Sequence, residues 1–427
     1  MIRFIFLFSL ALFTAAGSGL AQTYAITNAK AWTGTARGLI EGATIIIVDG
    51  RIAEVRTNDA ALPSGATVID AEGQWVTPGI ISPFSRVGLV EVNAESSTND
   101  IAAGSSSYSV ALKAADSFNP RASTVPVTRL DGVTRLVVAP NAGDDIFAGR
   151  GLTANTSGAP GSIMDDDAFV YIRMGEGGAG IAGGSRSAAW ARLRAALSDA
   201  RSFPARYLAH NEGDALTRVD AQAFGAASRG DQMIMVEAHR ASDILTLIAF
   251  SQRAPQLNIV LVGADEGWLV ADELAAANIP VIVDPFQNLP ASFEQLGATS
   301  ENAARLIEAG VITAFSHLGD NTHQSGLVLQ SAGNAVANGV SHDDALAAIT
   351  IVPAVIFGMD GLGALEPDAI GDLVIWDGDP LEVMSAPTQV FIDGAPQSME
   401  SRQSRLRDRY LGMEPGDLPY AYKRDQE

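Results

Sequence analysis

The chain of 427 residues contains no cysteine, which excludes disulfides, zinc-thiolate centres and a cysteine nucleophile together. Lysine is nearly absent, occurring only at Lys30, Lys113 and Lys423, and histidine occurs five times. Positive charge is the minority sign, with 28 basic residues against 49 acidic ones and a formal charge of −21. Such a field repels phosphate backbones, so nucleic acid is not an expected partner. Beyond the first residues no stretch reaches the roughly 20 apolar residues that cross a bilayer, and no fixed-period repeat of the solenoid kind is present. Stability must therefore come from packing, for which a 47% hydrophobic composition at this length suffices.

The chain opens with a short positive region, Met1 to Arg3, followed by the almost wholly apolar Phe4 to Phe13. Gly19-Leu20-Ala21 then places small residues where a signal peptidase reads, which predicts a leader over 1–21 cleaved after Ala21. The apolar run is too short for a membrane anchor. The expected location is outside the cytoplasm, periplasmic or secreted.

From Tyr24 to Val76 the texture is that of short β-strands, and Asp49-Gly50 between two β-branched runs is a strong hairpin signal. A similar texture returns at Asp372 to Trp376 and Val390 to Ile392. The two ends are expected to share one small β-sandwich, residues 22–78 with 355–400. Between them, apolar strands alternate with amphipathic helices, as at Met233 to Val236, Ile259 to Val262, Val281 to Val283 and Val311 to Phe315. This pattern predicts an α/β fold, a (β/α)8 barrel over 79–354, with a doubly wound open sheet as the alternative. Gly175 to Gly184 reads as a flexible loop, and Asp165-Asp166-Asp167, which lacks the pattern of a calcium hand, as a solvated turn. The last segment, 401–427, reads as a helix and tail. Its arginines and Tyr420 and Tyr422 would suit a contact in a homo-oligomer.

Val76-Thr77-Pro78-Gly79-Ile80-Ile81 and, near the far end, Gly363 to Leu365 with Gly371-Asp372-Leu373-Val374-Ile375-Trp376-Asp377-Gly378-Asp379-Pro380 resemble the amidohydrolase superfamily, specifically its imidazolonepropionase-like branch. The two signals bracket nearly the whole chain. The resemblance implies a barrel and sandwich, a divalent metal at the C-terminal ends of the strands, and hydrolysis of non-peptide or small-peptide C–N bonds. In that family the Pro-Gly leads into a pair of metal-binding histidines; here Phe84 and Arg86 occupy the matching positions, and neither side chain offers a lone pair. His239 matches the family's histidine at the end of the fifth strand. Gly263 stands where the next histidine is expected, and His317 or Asp320 where the proton-shuttling aspartate belongs. Some members bridge two metals with a carboxylated lysine, but none of the three lysines falls on a mid-barrel strand.

Two readings follow. In the first, His239, His317 and Asp320, or His323, hold one divalent metal, zinc by the chemistry of the set. Asp320 and His239 are then the catalytic residues, and Glu237 or Asp265 supports them. In the second, the barrel mouth is a metal-free pocket of a pseudoenzyme that binds a small ligand or a partner protein. There Arg86 takes the vacated metal position and recognises a carboxylate. In both, Gln287 and Asn288, after the seventh strand, are placed to hydrogen-bond a small-molecule substrate.

Overall fold

Two β-branched runs, Leu39–Val48 and Arg51–Arg56, pair antiparallel about Asp49-Gly50. The φ values of 50° and 82° there give the turn with two left-handed residues that matches strand twist. This computed structural model describes residues 22–57, 60–208, 213–319 and 324–411. The expected leader at 1–21, Asp320, His323 and the tail from 412 onward lie outside the described residues.

The hairpin belongs to an eight-stranded sheet built from both ends of the chain. Thr23–Trp32 is its spine. One edge of the spine pairs with Leu39–Val48, while the other is divided between Thr67–Asp70 and Trp75–Pro78. The sheet forks there and encloses a core of Ile26, Ile45, Ile47, Ile52 and Phe391. Trp75–Pro78 also pairs antiparallel with Leu373–Trp376, which ties the C-terminal segment to the N-terminal one. Inside this seam Trp376 Nε1 donates to Thr77 Oγ1 at 2.9 Å.

From Gly79 the chain enters a second eight-stranded sheet, rolled into a nearly closed barrel. Its strands, in both chain and spatial order, are Ile80–Ser85, Val133–Val138, Phe147–Asn155, Ile163–Arg173, Met233–Ala238, Ile259–Gly263, Val281–Val283 and Thr313–Phe315. The eighth returns beside the first, where Ser316 Oγ donates to the Phe84 carbonyl at 2.9 Å. Packing outside the wall matches the expected α/β layering: Val170, Ile172, Ile234, Val236 and Leu261 share one core with Trp190, Leu193, Ile244 and Leu247 of the surrounding helices. Phe169, Tyr171, Met235, Val260, Val262 and Ile282 fill the interior.

One strand departs from the regular alternation. Phe147–Asn155 runs antiparallel to both of its neighbours, the strands before and after it. The connections on either side, 139–146 and 156–162, are shorter than the dozen or so residues a parallel crossover requires, so the chain reverses instead.

Two local expectations are corrected. Gly175–Ile181, read as a flexible loop, is helical; a β-carbon at Gly178 would lie 2.2 Å from the Arg173 carbonyl, so its glycine serves close approach. The buried Glu294 carboxylate accepts the Glu176 N–H at 2.5 Å at the start of this helix. Asp165 to Asp167 lie within the fourth barrel strand, not in a turn. Asp166 pairs with Lys113 at 2.8 Å and Asp167 with Arg150.

Barrel and terminal sheet are joined by a buried ion pair. Arg135, on the second barrel strand, binds Asp372 at the entrance to Leu373–Trp376, and both side chains are almost wholly buried. The Arg135 Nη2 also reaches Asp393 at 2.6 Å.

Candidate ligand site at the barrel mouth

Side chains on a strand alternate between its two faces. Phe169 and Tyr171 point inward on the fourth strand and Met233 and Met235 on the fifth, so the same lines continue to Arg173, Glu237 and then His239 at the C-terminal ends. These residues, with Phe84, Arg86 and Asn141, line a cavity of about 180 Å³. That end of a barrel is where ligand chemistry gathers in this fold.

Glu237 is the centre of the arrangement. Tyr171 donates its phenol to Glu237 Oε2 at 2.5 Å. Arg173 Nε and His239 Nε2 each stand 3.4 Å from Oε1. The Arg173 contact is an ion pair without hydrogen-bond alignment. On its other side His239 Nδ1 lies 2.7 Å from Asp265 Oδ2, and Gln295 Nε2 donates to that same oxygen at 2.6 Å. The mouth thus holds a continuous chain from Tyr171 through Glu237, His239 and Asp265 to Gln295.

Charge states follow from these contacts. Burial alone would disfavour the His239 imidazolium, but hydrogen bonds to Asp265 and Glu237 and the charges of both push its pKa up to about 10. Burial would likewise raise Glu237, yet His239, Arg173 and the Tyr171 hydroxyl hold it down at about 2. Tyr171 is driven well above its ordinary value by burial and by the neighbouring Glu237 charge, so it remains a hydrogen-bond donor. At neutral pH His239 is a cation and Glu237 an anion.

Phe84 and Arg86 lie on the first strand's side of the cavity. The Phe84 ring meets Tyr171 edge-on with centroids 5.4 Å apart, and the Arg86 guanidinium carbon is 5.6 Å from the Phe84 centroid. Gly263 has φ +96°, and a β-carbon there would fall 2.4 Å from His239 Cε1. The histidine ring therefore rests on bare backbone, and the glycine is what lets it turn toward Asp265.

The other residues singled out in the sequence lie elsewhere. His317 Nδ1 is 3.2 Å from Asp284 Oδ2, misaligned for a hydrogen bond and without another partner among the described residues; the residue does not line the mouth cavity. Gln287 and Asn288 sit on the loop after the seventh strand, Asn288 exposed, and neither lines it. Asp320 and His323 are outside the described residues. Tyr171, Arg173, Asn141 and Gln295 were missed. For Tyr171 and Arg173 the available signal was the alternation Phe169, Tyr171, Arg173 running to a strand's end.

The described residues do not fit a divalent metal. No three histidine or acidic side chains among them converge on one point. Both ring nitrogens of His239 face carboxylates, and a histidine with both nitrogens protonated offers no lone pair. The remaining expected positions carry Phe84, Arg86 and Gly263, and Arg86 brings a permanent positive charge to the place of the ion.

A larger cavity of about 980 Å³ opens near Met233 and Asn258, where strands begin. Two of its charged groups, Arg150 and Asp167, already satisfy each other, so the smaller cavity has the better claim to ligand chemistry.

A barrel of this form, joined to a sheet from both chain ends and with its polar groups gathered at the mouth, defines an amidohydrolase-type architecture. The model of the amidohydrolase family matches residues 209–399. The amidohydrolase tasK of Hapsidospora irregularis is 24% identical over 392 residues, covering 84% of this chain and 39% of that protein. The chain thus spans about two-fifths of the length of this curated relative. Among solved structures, an amidohydrolase from Thermotoga maritima MSB8 superposes with a TM-score of 0.79 at 23% identity, over 87% of this chain and 99% of that one. Molinate hydrolase gives 0.55 at 16% identity, over 95% and 99%. A prolidase complexed with N-methylphosphonate-L-proline gives 0.55 at 18%, over 89% and 100%. The chain is similar to amidohydrolases in sequence, through the family model over residues 209–399, and shares their barrel fold.

Proposed function

We propose that this chain is a metal-independent member of the superfamily whose barrel mouth binds a small molecule carrying a carboxylate. The observation that carries the reading is the charge of the cavity wall. Among the described residues, Arg86, Arg173 and the His239 cation line an opening with a single acidic lining residue, Glu237. Guanidinium groups on a cavity wall suit a carboxylate, which accepts two parallel N–H bonds. Asn141 and Tyr171 add polar contacts on the same wall. A volume near 180 Å³ suits a ligand of a few heavy atoms rather than a peptide. If the leader at 1–21 is processed as read, this binding takes place in the periplasm or outside the cell.

A second reading keeps the family chemistry. Similarity to the amidohydrolases is compatible with a hydrolase; hydrolysis of a non-peptide or small-peptide C–N bond with zinc held by His239, His317 and Asp320 is the form the sequence suggests for it. The two readings part on metal content. Elemental mass spectrometry of untagged wild type and His239→Ala, purified without chelators, is expected to find no stoichiometric transition metal in either. About one metal per chain, lost in the variant, overturns the metal-independent reading. Calorimetric titration with acetate and N-acetylproline is expected to give heat that Arg86→Ala and Arg173→Ala each abolish.

A further inference from the structure

Asp131 carries a carboxylate that nothing in the mouth chemistry uses. It follows Thr124–Leu130 and precedes Gly132, whose carbonyl accepts the N–H of Ile80 where the first barrel strand begins. It therefore sits at the end of the barrel opposite the mouth. Its side chain is half-buried, and its carboxylate oxygen lies against Gly326, where a β-carbon would come within 2.0 Å. Asp131 has no ion pair among the described residues, and burial alone pushes its carboxyl up to about 6.

Two cavities share Asp131, Gly326 and Gln330. The larger, about 400 Å³, is polar where it meets the carboxylate: Ser123, Thr124 and Thr128 contribute hydroxyls, and Gln330 an amide. The smaller, about 160 Å³, has a mixed wall, with Leu130, Leu329, Trp376 and Pro387 beside Gln330, Glu382 and Ser385. Among the described residues no lysine, arginine or histidine lines either one. A carboxylate drawn from water without a cation is costly, and the walls supply further acceptors, Glu91 and Glu382 among them, with an apolar patch at Leu329 and Trp376.

We infer that these paired cavities form a second ligand site, which takes a primary amine bearing a short apolar substituent. The ammonium pairs with Asp131 and the hydroxyls beside it, and the substituent enters the pocket against Leu329 and Trp376. The site is independent of the anion pocket and lies at the other end of the barrel.

The test is calorimetric titration of the full chain with isobutylamine, with methylamine and isobutanol as controls for the apolar and charged parts. Isobutylamine is expected to bind more tightly than either control. Asp131→Asn, which keeps the shape, should weaken it on the order of tenfold or more, the worth of a charged hydrogen bond. Leu329→Trp, which fills the apolar pocket, should weaken isobutylamine while leaving methylamine unchanged, and it keeps the test open if the asparagine variant fails to fold. Arg86→Ala should bind the amine as wild type does. Absence of amine binding by folded wild type, equal affinity for isobutanol, or indifference to both site variants overturns the assignment.

Discussion

Arg135 grips Asp372 with two hydrogen bonds, Nε to Oδ2 at 2.7 Å and Nη2 to Oδ1 at 2.8 Å, across the boundary between barrel and terminal sheet. The side chains are 3% and 2% exposed, so neither charge has water to fall back on. Removing one partner leaves the other buried and uncompensated. Asp372→Ala is expected to lose about 3–5 kcal/mol in urea denaturation. Asp393→Ala should cost far less, because that carboxylate is 57% exposed and the main pair survives it.

Gly263 and His239 form the next test. An alanine at 263 meets two obstacles, a φ of +96° and a histidine ring within 2.4 Å of the new β-carbon. Gly263→Ala should destabilise the fold by about 1–3 kcal/mol, the range for strained backbone. It should also swing His239 away from Asp265. The imidazole resonances, followed by NMR, would then titrate near the ordinary value; a variant that keeps the raised pKa would disprove the link between this glycine and the ring's position.

The third expectation concerns pH. His239 titrates at about 10, above its ordinary 6.5, so its stabilising contribution is complete below the ordinary value and is lost as pH rises through about 10. Glu237 behaves oppositely: held at about 2 rather than 4.5, its contribution is complete above the ordinary value and is lost as pH falls through about 2. Carboxylate affinity should therefore be flat from about pH 7 to about pH 9 and decline above about 10, when the imidazolium is discharged. Titrations across that range check it, and a step near pH 6.5 would show that His239 is not held by its two carboxylates.

The sequence pointed clearly to whatever depends on short-range pattern. Asp49-Gly50 announced its hairpin because the turn needs two left-handed residues. Thr77-Pro78-Gly79 marked the passage from sheet to barrel. His239 was found because it matches the family's histidine after the fifth strand, and Phe84 and Arg86 because a motif stands next to them. Tyr171 and Arg173 escaped because the fourth strand follows a reversed one and no helix announces it. Gly175–Ile181 was misread because its helix is fixed by a distant carboxylate and a close backbone approach rather than by its own propensity. Gln295 comes from a distant loop, and contacts of that kind leave no mark in local sequence.

The reversed third strand also bears on how the molecule assembles. A regular barrel must bring together strands separated by a helix at every step, and each such closure costs chain entropy before any contact repays it. Here Phe147–Asn155 pairs with Ile163–Arg173 through a short connection, and Val133–Val138 joins from the other side. Three adjacent staves of the wall are thus neighbours in sequence as well as in space. That low contact order favours this stretch as an early-forming nucleus, on which the distant first and last strands can later close.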